Sequence, residues 1–139
     1  MAKVYIIGSL KNQEVPEVAN KLRKVGHEVF DDWYAAGPEA DDYWHAYELK
    51  KGHNYKEALA GYSAKDVFNF DKYHLDRTDV AVLVLPAGKS GHLELGYAVG
   101  NGKIGYILLD DPDRWDVMYQ FATDLFYNVD DLIKELKGK

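Results

Sequence analysis

The chain alternates between two hydrophobic periods. Lys3 to Ile7, Val80 to Leu85 and Ile104 to Leu109 are short apolar runs rich in β-branched residues, the pattern of strands covered on both faces. His27 to Phe30 is a shorter run of the same kind, and Leu125 to Tyr127 predicts a short edge strand. Between these runs the spacing is helical. Val15, Val18, Ala19, Leu22 and Val25, closed by Gly26, predict a helix over about 14–25. Ser63-Ala-Lys-Asp66 reads as a capping box that opens a helix over about 64–77. A further helix over 90–101 is stopped by Gly100-Asn-Gly102. Asp110 to Asp113 reads as a turn, Arg114 to Thr123 as a helix with Trp115, Met118, Tyr119 and Ala122 on one face, and Val129 to Leu136 as the last helix. Five strands alternating with helices predict one α/β domain over 1–139. Its expected form is a three-layer, flavodoxin-like or Rossmann-like fold with a parallel sheet of order 2-1-3-4-5 and helices on both faces.

One stretch departs from this rhythm. Asp31-Asp32-Trp33-Tyr34 breaks the second strand, and residues up to Tyr62 are crowded with aromatic and acidic side chains, with glycines at 37, 52 and 61. A loop with one or two irregular helices is expected here. It serves either as a solvated excursion packed on the sheet edge or as a lid whose aromatic faces stack on a ligand.

Composition narrows the function. The 139 residues are 47% hydrophobic and carry a net charge of -6, which argues against duplex nucleic acid or an anionic membrane as partner. A small nucleotide in a local pocket remains compatible. There is no cysteine, and the five histidines show no ligand spacing, so neither a metal nor a cofactor is expected. The amino terminus enters a strand at once, without a signal-like or membrane-spanning segment, which makes the cytoplasm the default expectation.

In the 2-1-3-4-5 order the topological switch point lies between the first and third strands, where such sheets hold their ligands. Gly8, Ser9 and Leu10 should line it, together with residues 86–94. There a Gly-rich turn, Gly88-Lys-Ser90-Gly91, opens a helix whose free N–H groups favour an anion. Glu94 lies about one turn into that helix. On the preceding helix Asp71 interrupts a stripe formed with Phe68 and Leu75, where partial burial should raise its pKa. One acid held ionised near helix N–H groups and another held protonated among apolar side chains make the pair that glycosidic bond chemistry needs.

Asn69-Phe-Asp71, then Arg77-Thr-Asp79 before an apolar strand, then Gly91-His-Leu-Glu-Leu-Gly-Tyr-Ala98 resemble the nucleoside 2-deoxyribosyltransferase family and the related 2'-deoxynucleoside 5'-phosphate N-hydrolases. The resemblance implies that Glu94 is the nucleophile forming a covalent deoxyribosyl ester. It makes Asp71 the acid that protonates the departing base and later deprotonates the acceptor. Transfer to a second nucleobase is the expected reaction; hydrolysis of nucleoside 5'-monophosphates, or a non-catalytic nucleotide-sensing role, are the alternatives. Gly88 stands where transferases have Asp and the hydrolases Ser, with Ser90 nearby. Asp116-Val-Met118 matches the segment that, in the family, reaches the 5' end of the sugar in a neighbouring subunit. That implies a homodimer or larger assembly, and an acid there favours a free 5'-hydroxyl over a phosphate. Lys89 and Ser90 argue for a phosphate. Asp31, Asp32 and Trp33 fall where the family reads the base, although Asp31 and Asp32 are equally well explained as a strand end. Tyr5 is expected in the core and His92 on a helix surface. Purine or pyrimidine preference is not legible.

Overall fold

The apolar runs form the expected strands in a computed structural model that describes residues 1–110 and 115–139. They are β1 (Lys3–Ile7), β2 (Glu28–Phe30), β3 (Val80–Val84), β4 (Ile104–Leu108) and β5 (Asp124–Phe126). All pairings are parallel, in the order β2-β1-β3-β4-β5. The helices are α1 (Glu14–Lys24), α2 (Ala40–Lys50), α3 (Tyr55–Leu59), α4 (Tyr62–Asp76), α5 (Lys89–Gly100) and α6 (Val129–Leu136).

Strand alternation divides the interior into two cores. Val4, Ile6, Val80, Val82, Val84, Tyr106 and Leu108 point to one face, where Val15, Val18 and Leu22 of α1 and Leu132 and Leu136 of α6 cover them. Tyr5, Ile7, Ala81, Leu83 and Ile107 point to the other, under Leu75 of α4 and Leu95 and Ala98 of α5. Each such aliphatic side chain contributes about 1.5–3 kcal/mol relative to exposure, so the central strands dominate the stability. At the lower end of the sheet Asp79 accepts from the Lys3 N–H at 3.0 Å and its own N–H donates to Lys3 O at 2.8 Å, as suits a helix-to-strand junction residue. Gly26 (φ +100°) ends α1 with bonds from its own N–H to Arg23 O and from the His27 N–H to Leu22 O, which satisfies the last carbonyls.

Four local expectations are corrected. Ser63 forms no capping box: α4 begins at Tyr62, and Gly61 at its N-cap supplies no side-chain bond. The stripe on α4 is not a buried one, because Phe68 is 63% exposed and Leu75 is the helix's one buried residue. The edge strand lies one residue earlier, at Asp124–Phe126. In place of a long helix after β4 the chain makes a 3-10 helix over Val117–Phe121, capped by the Asp116 carboxylate on the Met118 N–H at 2.8 Å. Within it Tyr119, and just beyond it Ala122, pack on the second core, while Trp115 and Met118 are exposed. Arg114, and Asp111 to Asp113 of the expected turn, lie outside the described residues.

The 31–62 stretch is more regular than expected, a 3-10 helix (Asp32–Ala36) followed by α2 and α3. Tyr43, Tyr47, Tyr55 and Tyr62 on it are exposed. Its anchor is polar: Glu48 is buried and meets Lys51 at 3.1 Å and His53 at 3.3 Å.

Two glycines let α5 approach the sheet. A Cβ on Gly91 would sit 3.1 Å from Leu83 and 3.3 Å from Ile7, and one on Gly105 of β4 would sit 2.4 Å from Val99. Gly105→Ala is therefore expected to destabilise the fold by about 1–3 kcal/mol through overpacking. A urea midpoint lowered at unchanged slope is the result that agrees; an unchanged midpoint would show that α5 can shift freely.

Candidate active site

The two candidate acids lie on the helices that cover the second core, Asp71 on α4 and Glu94 on α5, and Tyr5 of β1 is buried in that core. The Tyr5 hydroxyl donates to Glu94 Oε2 at 2.9 Å. Tyr5 is thus a core residue, 1% exposed, and also the positioning partner of Glu94. Sequence pattern reveals only the first of these roles, because an aromatic in a buried strand carries no sign of what its hydroxyl reaches. Beside it the rings of Phe30 and Tyr5 are 5.3 Å apart, His74 stacks on Phe30 at 3.9 Å, and Phe70 meets Phe30 edge-on at 5.7 Å.

This aromatic lining sets the protonation of the two acids. Burial pushes Asp71 up to about 6. Glu94 is pushed up to about 7, chiefly by burial; the Tyr5 hydrogen bond opposes the shift and the negative charge of Asp71 adds to it. The phenol of Tyr5 is pushed well above its ordinary value by burial and then by the charges of Glu94 and Asp71, so it stays a donor. Asp71 and Glu94 therefore lie within electrostatic reach of each other across Tyr5. The expectation of a depressed Glu94 is corrected. Its carboxylate sits five residues beyond Lys89, the first residue of α5, past the turn that exposes N–H groups, so desolvation outweighs the helix dipole.

At the carboxyl ends of β1 and β3 lies a cleft of about 230 Å3 lined by Ser9, Lys11, Asn12, Pro86, Ala87 and Gly88, with neither Glu94 nor Asp71 in its wall. Ser9 and Gly88 meet there as the switch-point geometry requires. Asn12 was not expected. Buried, it donates to Val84 O at 3.3 Å and Pro86 O at 3.4 Å and accepts from the Glu14 N–H, clamping the turn after β1 to the turn after β3. Lys11 adds a cation at the rim, and Gly88 caps α5 without a side chain, so the first N–H groups of that helix have no side-chain cap. Ser90 is exposed in this first turn.

The remaining predicted residues take other positions. Gly91 faces the sheet and serves packing, and Gly8 does the same against Val15, where a Cβ would stand 2.7 Å from a methyl. Leu10 is half-buried in the turn beside the cleft and is not among its lining residues. Asp31 is occupied, buried and ion-paired with Arg23, so the structural explanation of that acid is the one observed. Asp32 is exposed at the start of the 3-10 helix. The Trp33 indole N–H donates to Ile6 O at 2.8 Å, which holds the ring near Gly8. Asp116 and Met118 are on the surface, Met118 58% exposed. His92 is more than a surface residue, since its ring bridges Gly88 O at 2.8 Å and the Tyr119 hydroxyl at 2.9 Å. Among the described residues no group of three or more His, Asp or Glu side chains could hold a metal ion, and no helix is long and apolar enough to cross a membrane.

No family model matches this chain, and no curated protein matches it. Solved structures do. One is a 2-deoxyribosyltransferase from the psychrotolerant bacterium Bacillus psychrosaccharolyticus, which superposes with a TM-score of 0.64 at 18% identity over 95% of this chain and 90% of that one. A conserved protein from Enterococcus faecalis V583 superposes at 0.66 with 15% identity, over 97% and 96% of the two chains. At these identities the likeness is one of fold, and it spans nearly the whole chain.

The raised acids carry a sign for stability. A carboxyl whose folded pKa exceeds its unfolded value binds protons more tightly when folded, so the fold loses stability as pH climbs from about 4 through about 7. Glu94→Gln keeps an acceptor for Tyr5 and removes this penalty. It is expected to stabilise the protein by about 1–2 kcal/mol at pH 8, several degrees in Tm, and to give no gain at pH 4. Thermal melts at both pH values check this, and an equal change at both would contradict a half-buried, raised Glu94.

Proposed function

We propose that the chain is a nucleoside 2-deoxyribosyltransferase, which breaks the N-glycosidic bond of a 2'-deoxynucleoside and passes the deoxyribosyl group through Glu94 to a second nucleobase. The observation that carries this reading is the half-buried Glu94, held by the Tyr5 hydroxyl and within electrostatic reach of Asp71, with both acids raised above their ordinary range. The fold shared with a 2-deoxyribosyltransferase supports it.

The steps balance without a cofactor. A Glu94 oxygen attacks C1' as the bond from C1' to the base nitrogen breaks; the bonding pair leaves with the nitrogen, which takes the proton of Asp71. The result is a glutamyl ester and a free base. The Asp71 carboxylate then removes a proton from the acceptor base, whose nitrogen displaces Glu94 from C1' with overall retention. Between about pH 6 and 7 the pair carries one proton, which in the free protein lies more on Glu94, the acid pushed higher; substrate has to bring it to Asp71 before Glu94 can attack. A base arriving against Asp71 draws that proton to the leaving-group side.

One observation favours a second reading, hydrolysis of a nucleoside 5'-monophosphate. The α5 N-terminus beside Lys11 and Ser9 has no side-chain cap and suits an anion. Asp116, whose carboxylate is spent on its own 3-10 helix within one copy, would act on a substrate only in a neighbouring copy. The exposed apolar residues fit such an assembly. Val67, Phe68, Phe70 and Tyr73 on α4, Trp115, and Phe121 at the end of the 3-10 helix are each half or more exposed. A second copy of this chain is the proposed cover, giving a homodimer or larger assembly with shared sites.

Incubating deoxynucleosides, ribonucleosides and their 5'-monophosphates with and without a second free base, and separating products by chromatography, tests the reaction. Base exchange that needs the acceptor base is the expected result; release of base from monophosphates in water alone would move the assignment to the hydrolase. No product from any substrate would leave a sensing domain. Glu94→Ala should lower kcat by at least about 10^3-fold and abolish covalent trapping, while Asp71→Asn should slow substrates with poor leaving bases most. The kcat/KM profile should peak between about pH 6 and 7. Light scattering should give at least twice the mass of one chain, and a monomer at micromolar concentration would remove the shared-site arrangement.

A further inference from the structure

The His92 ring joins two parts of the molecule that the chain separates widely. Its Nδ1 lies 2.8 Å from Gly88 O and its Nε2 lies 2.9 Å from the Tyr119 hydroxyl, with the two rings stacked at 5.7 Å and 18°. The chemistry of the partners fixes the proton. A carbonyl oxygen only accepts, so in the neutral ring Nδ1 carries the hydrogen, and Nε2 accepts from the phenol of Tyr119. The bonds run in one direction, from Tyr119 through the imidazole to Gly88.

Gly88 is the end that matters. It is the N-cap of α5 and lines the cleft at the strand ends. Its φ of -87° is open to any residue, and a Cβ there would meet nothing within 4 Å. Neither conformation nor packing requires the glycine, so the backbone at this N-cap is open to the cleft. The carbonyl of Gly88 also accepts the ordinary helical bond from the His92 N–H, which is long at 3.4 Å. The imidazole bond is the shorter hold on the peptide that joins Gly88 to Lys89, and hence on the direction of the first N–H groups of α5.

We propose that His92, its tautomer set by the Gly88 carbonyl and its ring seated against Tyr119, is a positioning residue that aims the Gly88 peptide and the start of α5 at the bound sugar, and so sets substrate affinity without taking part in bond breaking. This rests on the proposed nucleoside chemistry for the identity of the ligand. The hydrogen-bond relay itself is independent of that chemistry.

Two measurements test it. In steady-state kinetics with the best deoxynucleoside donor, His92→Ala is expected to raise KM by 10-fold or more with kcat within about threefold. His92→Asn, whose amide nitrogen takes the place of Nδ1, should recover most of the loss, and Tyr119→Phe should fall between the two. A KM unchanged in His92→Ala, or a loss confined to kcat, would overturn the positioning role. In parallel, 15N-resolved NMR of the wild-type protein at pH 8 should show the His92 ring protonated at Nδ1, the minor tautomer of free histidine, as the bond to the Gly88 carbonyl requires. A wild-type ring protonated at Nε2 would overturn the relay. If the wild type turns over no nucleoside, the proposed function falls, and the tautomer still decides the relay.

Discussion

Everything chemical in this molecule depends on how closely α5 is seated on the sheet. Without a Cβ at Gly91 or Gly105 the helix reaches the strands, and at that distance the Glu94 carboxylate meets the hydroxyl of Tyr5, which rises from β1. The same seating removes water from Glu94 and brings it under the charge of Asp71 from α4. Close packing is thus the origin of the perturbed protonation, and burial outweighs the favourable Tyr5 hydrogen bond in setting its direction.

Such a site is costly to the fold. Two acids held above their ordinary range disfavour the folded state at neutral pH, and the central strands of aliphatic residues supply the stability that tolerates them. The clamp formed by Asn12 adds rigidity where it is needed, between the two turns that open the cleft. α4 contrasts with this. It buries Leu75 and leaves Phe68, Phe70 and Tyr73 at the surface, so Asp71 is carried by a helix with a single buried residue in one copy of the chain. A partner on that face would complete the apolar surroundings of the acid as well as cover the patch.

Much of the fold was legible from the sequence. Period-two runs and helical spacing located all five strands and the helices α1, α4, α5 and α6 to within a few residues, because a strand buried on both faces has to be apolar throughout. The raised pKa of Asp71 agrees with the partial burial expected for it, though the stripe from which it was read is exposed at Phe68. The failures were those of local signals overruled by packing. Ser63 has the pattern of a cap, yet Gly61 two residues earlier begins the helix. Asp31 was available for base reading until Arg23, eight residues back, was found to hold it. Trp33 and His92 looked like free side chains because their partners, Ile6 O and Tyr119, are distant in sequence.

The sequence by itself determined the strand order, the two-sided burial of the sheet and the placing of an acid on each of the helices that flank β3. Those follow from periodicity and from the rules of parallel connection, which act along the chain. The tertiary structure decided what these residues do to one another. The charge state of Glu94, the second role of Tyr5, the clamp at Asn12 and the bridge at His92 are set by desolvation and by hydrogen bonds between segments tens of residues apart. No property of a residue's neighbours in the chain encodes such a distance.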